Sequence, residues 1–441
     1  MQHQLDLASA SISSFAEAKA RAEAIPVVRI IMSRSIPAGE RRCCGSWRMQ
    51  AIPLAPNCWK KSRADSTAMP WTRHALPWTL QRFTTNRTRE NQAYRYIQAM
   101  SLMNVLTRIL LAPVWALQLL TGAKSFLDNP LIGSRALNQR GLHATRVRLA
   151  DQLCRWRRRR LAKAVRQDWR EAFDRDGFVV ISKIVPPEQF PALREAILSY
   201  AGPAREMQQG DAITRRLAID PAMLVAIPGL RALLDRKDIV ALLHYAASYR
   251  TTPLHYVQTI VSKIECPDQD PQEALHADSF HSSLKSWLFL NSVSLEEGPF
   301  VYVPGSHRFD ARRMAWEHQR SLADPTTIDR LSARGSPRVK LEELKAMGLP
   351  PACAVTVEAN TLVVADTVGF HARGPSLEGG ERVEIWSYSR RNPFYPWLGG
   401  DMLSLPGIAE RRMGAVWGFR DRMERWIGQP WKPVGRRKPV G

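Results

Sequence analysis

Acidic residues are scarce in this sequence. Its 441 residues include 41 Asp and Glu against 63 Lys and Arg, a formal charge of +22. That imbalance biases the surface toward phosphates, anionic lipids or acidic substrates, without choosing among them. Cysteine is also sparse. The six, at 43, 44, 58, 154, 266 and 353, form no CxxC and no regular framework, which argues against a disulfide-built secreted domain and for a reduced, cytoplasmic setting. No internal repeat of fixed period is present. The longest apolar stretch, Leu106 to Thr121, carries Arg108 and Pro113 and falls short of the roughly 20 apolar residues that a membrane span needs.

What is present is enough apolar material, 45% of residues, for one large core or two ordinary ones. Residues 1–99 show no sustained helical or strand period. They are expected to be disordered or an upstream reading-frame extension, with Met100 and Met103 standing just before the first convincing helix. An organelle transit peptide is the competing reading; the Arg and Ser content supports it, and Glu17, Glu23 and Asp65 weaken it. Residues 100–170 read as an apolar helix followed by a basic one. The first suits either a core or a membrane interface, where Trp115 would sit among headgroups. The second spaces Val147, Ala150, Leu153, Leu161, Val165 and Trp169 helically and carries Arg155 and Arg157 to Arg160. This run fits a solvated face, anionic headgroups or nucleic acid.

From residue 171 to 393 short strands dominate, so the predicted class is mainly β with flanking α-helices, a sandwich or barrel. Strands are expected at Phe178–Ile181, His255–Ile264, Leu284–Val293, Phe300–Val303, Ala354–Val357, Thr361–Ala365 and Arg382–Ser389, with a helix opening after Pro186-Pro187-Glu188. Residues 394–441 should hold a closing amphipathic helix, Ile408 to Ile427, and a loose basic tail from Gln429.

The chemistry concentrates in two segments, Leu275 to Arg308 and Asn360 to Trp386. Alternate residues of a strand point to one side, so His276 and Asp278 can hold one metal ion while Ala277 faces away. The third ligand could be His255, His281, His307 or His371. Only His371 follows an apolar strand by a short loop and precedes another strand. His281 reads as a surface residue, and His307, in Pro304-Gly305-Ser306-His307-Arg308, as a turn anchor. Two imidazoles and a carboxylate leave three octahedral positions open, the arrangement a non-haem Fe(II) centre uses to hold a 2-oxo acid and admit oxygen; closed zinc sites use four ligands, commonly with Cys. Arg382, eleven residues after His371, could return to the pocket and pair bidentately with the far carboxylate of 2-oxoglutarate.

These pieces, with Asp176-Gly177-Phe178-Val179-Val180 and Glu297-Gly298-Pro299, resemble the phytanoyl-CoA dioxygenase family of Fe(II)/2-oxoglutarate-dependent oxygenases, from about Gln167 to Pro393. The resemblance implies a double-stranded β-helix, an eight-stranded jelly roll with iron at one mouth. It also implies His276, Asp278 and His371 as metal ligands and Arg382 as the co-substrate clamp. Gln258, Thr259 or Lys263 would supply an additional co-substrate contact, and Phe280 and Trp287 the pocket walls.

The function so implied is a dioxygenase that uses O2 and 2-oxoglutarate, releases succinate and CO2, and hydroxylates an aliphatic C–H of a small-molecule, acyl-CoA or lipid substrate. Retention of Asp278 favours hydroxylation over halogenation, since halogenases of similar fold replace this carboxylate. An anionic membrane surface is a further expected partner, placing the protein in the cytoplasm or at the inner face of a membrane. Two other classes stay open: a non-catalytic jelly-roll binding protein, and a basic nucleic-acid-binding protein acting through Arg155 to Arg160. One fold serves many substrates, so the resemblance does not fix this one.

Overall fold

The computed structural model describes residues 109–262, 270–376, 380–399 and 401–440; the expectations for residues 1–99 and for Lys263 lie outside them. Described residues from Trp115 onward form one compact unit, and 109–114 are helical.

Among the described residues eleven strands carry the architecture: β1 Phe178–Ile181, β2 Gly202–Gln209, β3 Ala212–Ala218, β4 Leu254–Ser262, β5 Leu284–Phe289, β6 Phe300–Tyr302, β7 Cys353–Val355, β8 Thr361–Asp366, β9 His371–Arg373, β10 Glu381–Ser389 and β11 Lys432–Arg437. Eight form one sheet in the order β1-β8-β5-β10-β4-β3-β2-β11, and three form a second in the order β7-β6-β9. His276, bridged to His371, extends the second sheet beyond β9. From β4 the chain steps to His276, back to β5, over to β6 and β7, back to β8, over to β9 and back to β10. This alternation between two antiparallel sheets is the double-stranded β-helix, so the predicted class is correct.

Alternation along each strand sorts the side chains. In β10, Val383 and Ile385 face outward into the larger apolar cluster, with Leu284, Leu288, Leu362 and Val364 from neighbouring strands. Trp386 faces between the sheets with Tyr256, Trp287, Phe289, Phe300, Tyr302, Val363 and Ala365. The outward face is covered by helices α1 (Leu142–Leu161), α2 (Gln167–Asp176), α3 (Phe190–Ser199) and α4 (Lys237–Ala247). A short 3₁₀ turn at Ala162–Ala164 and an extended Val165 separate α1 from α2, so the predicted continuous periodicity belongs to two helices. Gly177 caps α2 at φ 87°, and a Cβ there would come within 2.5 Å of both His307 Nδ1 and Tyr302 Oη, which explains the Asp-Gly-Phe sequence.

Four strands were not expected, the short β9 that begins at His371 among them. β2 and β3 are rich in Arg, Gln and Glu, with no clean apolar alternation, because β11 and β4 flank them as a sheet extension. β11 lies in the tail expected to be loose; Pro433 and Arg436 pair with Arg205 and Pro203, and the Thr259 hydroxyl donates to the Pro439 carbonyl at 2.7 Å. The basic run also differs from its reading as one face. Arg157 is buried, donating to the carbonyls of Ser248, Pro393 and Tyr395, and Arg158 reaches Asp366 at 2.7 Å; Arg155 stays outside with Asp151.

Candidate metal centre

His276 and His371 face each other across the sheet-edge bridge, each backbone N–H donating to the other's carbonyl at 2.9 Å. Directly opposed residues project to the same side, which brings the two rings to a centroid separation of 4.5 Å. Asp278, two residues on, donates its own N–H to the Thr367 carbonyl at 2.9 Å, and Ala277 between them is fully buried on the other side. The three ligand atoms lie within 4.8 Å of one another.

The orientation of each donor is fixed from behind. His276 Nδ1 lies 2.7 Å from the Ala274 carbonyl and His371 Nδ1 2.9 Å from the Gly369 carbonyl. A carbonyl only accepts, so both Nδ1 atoms carry the proton and both Nε2 lone pairs point toward Asp278, with Oδ1 at 3.8 and 3.7 Å. Burial pushes the His371 imidazole down to about 4, and burial with the neighbouring ring takes His276 well below its usual range. Both rings are therefore neutral near pH 7, the form in which an imidazole can ligate a metal. His371 Nε2 is buried with no hydrogen-bond partner, so its lone pair is available to a metal.

Asp278 divides its two oxygens. Oδ1 faces the imidazoles, while Oδ2 pairs with Lys285 Nζ at 2.7 Å. Burial pushes this carboxyl up, but Lys285 and the imidazoles outweigh it and hold it well below the usual carboxylate range. Lys124 Nζ donates to the Asp278 carbonyl at 2.6 Å, so the stretch before α1 also contributes to the site. Neither lysine was singled out from sequence. A charged residue inside the short strand Leu284–Phe289 was the available signal for Lys285.

Arg382 does enter the barrel and is buried, but it does not stand free. Nη1 donates to the Gly298 carbonyl, Nη2 reaches Glu384 Oε1 at 3.5 Å, and Nε lies 2.9 Å from Glu384 Oε2, off the line of the N–H bond. Glu384, fully buried, accepts from Gln258 Nε2 at 2.6 Å, and Gln258 Oε1 accepts from Arg216 Nε at 2.7 Å. Gln258 thus sits beside Arg382 through Glu384. Thr259 points the other way, to Pro439.

Of the remaining candidates, His281 is buried, contrary to its surface reading, with Nδ1 3.0 Å from the Ser282 carbonyl and no place among the clustered ligands. The close approach of Gly122, whose Cβ would stand 3.0 Å from His281 Nε2, is what covers it. His255 pairs with the Ser387 hydroxyl at 2.8 Å, and His307 packs on Phe173 near the turn. Trp287 stacks on Phe300 at 4.5 Å, and Phe280 packs on Phe394 and His281.

The donor set, the proton positions and the unpartnered Nε2 fit a divalent first-row metal held by two imidazoles and one carboxylate. Residues 173–337 match the family model described as phytanoyl-CoA dioxygenase (PhyH), so the resemblance read from the motifs is borne out over the stretch that carries His276 and Asp278; His371 and Arg382 lie beyond it. Among solved structures, the non-heme alpha ketoglutarate dependent epimerase SnoN from nogalamycin biosynthesis is similar at 17% identity and a TM-score of 0.35, covering 51% of this chain and 82% of that one. HygX from Streptomyces hygroscopicus, with nickel and 2-oxoglutarate bound, is similar at 16% identity and a TM-score of 0.32, covering 51% and 87%. No curated protein matches the sequence.

Proposed function

We propose that this chain is an Fe(II)- and 2-oxoglutarate-dependent oxygenase, with His276, Asp278 and His371 as the iron ligands. The observation that carries the reading is the convergence of the remote His371 on the pair His276 and Asp278, with both imidazoles pre-oriented and one Nε2 left without a partner. Iron with 2-oxoglutarate and O2 supplies the oxidising chemistry, releasing succinate and CO2. The chain's own part is placement. Ala274 and Gly369 fix the rings, and Lys285 takes the outer oxygen of Asp278 so that one oxygen is offered to the metal. Arg382 presents the unshared part of its guanidinium for the far carboxylate of the co-substrate.

The substrate we favour is an apolar small molecule, acyl chain or lipid, hydroxylated at an aliphatic C–H. Supporting this, Leu117, Leu120, Tyr395, Trp397, Met402 and Leu403 are exposed, and Asn392 Nδ2 ties the two stretches together by donating to the Leu120 carbonyl at 3.0 Å. Exposed apolar and aromatic residues beside Arg390 and Arg391 suit the surface of an anionic bilayer. Among the described residues no helix is long and apolar enough to cross a membrane. The nucleic-acid reading loses its main support, since Arg157 and Arg158 are engaged internally.

One observation favours a second reading, a binding protein without turnover: Glu384 already shares the Arg382 guanidinium. Anaerobic titration with Fe(II) and then 2-oxoglutarate separates the two. An oxygenase centre develops a weak visible charge-transfer band that His276→Ala abolishes, and substrate screens then register succinate; metal binding without the band would leave the binding reading standing.

A further inference from the structure

A second site lies where the end of α1 meets α4. There a cleft of about 360 Å³ is lined by Arg160, Lys163, Lys237, His244 and Arg250 among otherwise apolar residues, and by no carboxylate. Neighbouring cations are neutralised: Arg155 by Asp151, Arg158 by Asp366, Arg166 by Asp168 and Arg236 by Asp238. Among the described residues, no carboxylate lies within ion-pair distance of the four cations of the cleft. Gathering like charges around one hollow is unfavourable unless an anion completes it.

All four cations are exposed, and two are tied to neighbours, one through its side chain and one through its backbone. Arg160 lies over the Trp156 ring at 3.9 Å, and the Arg250 backbone N–H is fixed to the Leu398 carbonyl at 2.7 Å. Lys237 and His244 lie seven residues apart on α4, two turns along one face, with Val240 and Ala241 between them on the cleft wall. Burial and Arg250 push His244 down to about 4, so near neutral pH it offers an uncharged N–H. Lys237 is also the first residue of α4, where the Ile239 N–H is already taken by the Asp238 carboxylate, itself paired with Arg236.

We propose that this cleft binds a ligand bearing two phosphate groups. A phosphate monoester carries roughly −1.5 to −2 near pH 7, so two of them match the four cations. At roughly 30 Å³ per water the cleft holds about a dozen waters, more than a single phosphate displaces. The site is separate from the metal centre and does not depend on the oxygenase reading.

The test is calorimetric titration of the full-length protein with inorganic pyrophosphate at constant ionic strength, alongside Lys163→Glu/Arg250→Glu and a charge-matched control outside the cleft, Arg135→Glu/Arg148→Glu. Saturable binding is expected, weakened about tenfold or more in the cleft variant and less than about twofold in the control. Circular dichroism confirms that both variants fold; if the first does not, the single Lys163→Gln, at an exposed position, replaces it. No saturable binding, or equal weakening in the control, overturns the proposal. A second arm uses phosphatidylcholine vesicles with and without diacylglycerol pyrophosphate, whose headgroup carries two phosphates. Binding that depends on this lipid and is displaced by pyrophosphate identifies a lipid headgroup as the source, and pyrophosphate binding with no vesicle binding identifies a soluble phosphorylated ligand.

Discussion

Two polar groups occupy the interior of the barrel, and they are built on opposite terms. Across β3, β4 and β10, Arg216, Gln258, Glu384 and Arg382 form a ladder in which each side chain answers the next. At the mouth, His276, Asp278 and His371 are held from behind by carbonyls and Lys285, while His371 Nε2 answers nothing. Buried polar groups normally find partners, because an unmet one costs about 1–3 kcal/mol. The ladder is itself incomplete, since Arg382 Nε and Glu384 Oε2 make no hydrogen bond; what sets the mouth apart is that two imidazoles and a carboxylate converge there with their Nε2 lone pairs aimed at one point.

The sharpest way to break this contrast is to remove a ligand. His276→Ala should abolish the metal-dependent charge-transfer band and weaken Co(II) binding by more than about a hundredfold, since outer partners alone cost 10–100-fold; a variant that binds Co(II) normally would disprove the centre. Next in size is Lys285→Met, which strands the Asp278 carboxylate. It should destabilise the metal-free protein by about 3 kcal/mol in urea unfolding, and saturating Co(II) should narrow that gap, because the metal supplies the missing charge. A loss that metal does not reduce would make Lys285 a purely structural residue.

On the ladder side, Arg382→Lys keeps a cation for Glu384 but loses the planar fork. It should leave Co(II) affinity unchanged while weakening 2-oxoglutarate about tenfold by titration of the band; unchanged co-substrate affinity would remove the clamp assignment. Smallest of all is Arg155→Ala, which breaks an exposed pair with Asp151 and should cost no more than about 0.5 kcal/mol. Arg158→Ala, three residues further along and paired with the buried Asp366, should cost several times as much by the same unfolding measurement.

The legible parts of this molecule are those where local chemistry and final environment agree. His276 and Asp278 could be paired on paper because strand alternation alone puts them on one side, and His371 because an apolar strand precedes it. Six of the seven expected strands appear at nearly their predicted bounds; the seventh, Leu284–Val293, stops at Phe289. Arg157 and Arg158 were illegible because an arginine that caps buried carbonyls has the same letter as one in solvent, and only the fold supplies Ser248, Pro393 and Asp366. Glu384 left a fainter trace, a carboxylate between Val383 and Ile385 in a strand buried on both faces. β11 left none, since its glycine and proline argue against a strand and only pairing with β2 decides the matter.

That last pairing has a practical consequence. With β11 in place, the long polar strand β2 is covered on its outer side; without it, the row of N–H and C=O groups from Gly202 to Glu206 would stand open as a template for another chain. Shortening the protein by its final dozen residues, a natural choice for a tail so rich in Pro, Gly and Arg, should therefore trade a well-behaved particle for one that self-associates through its bared flank.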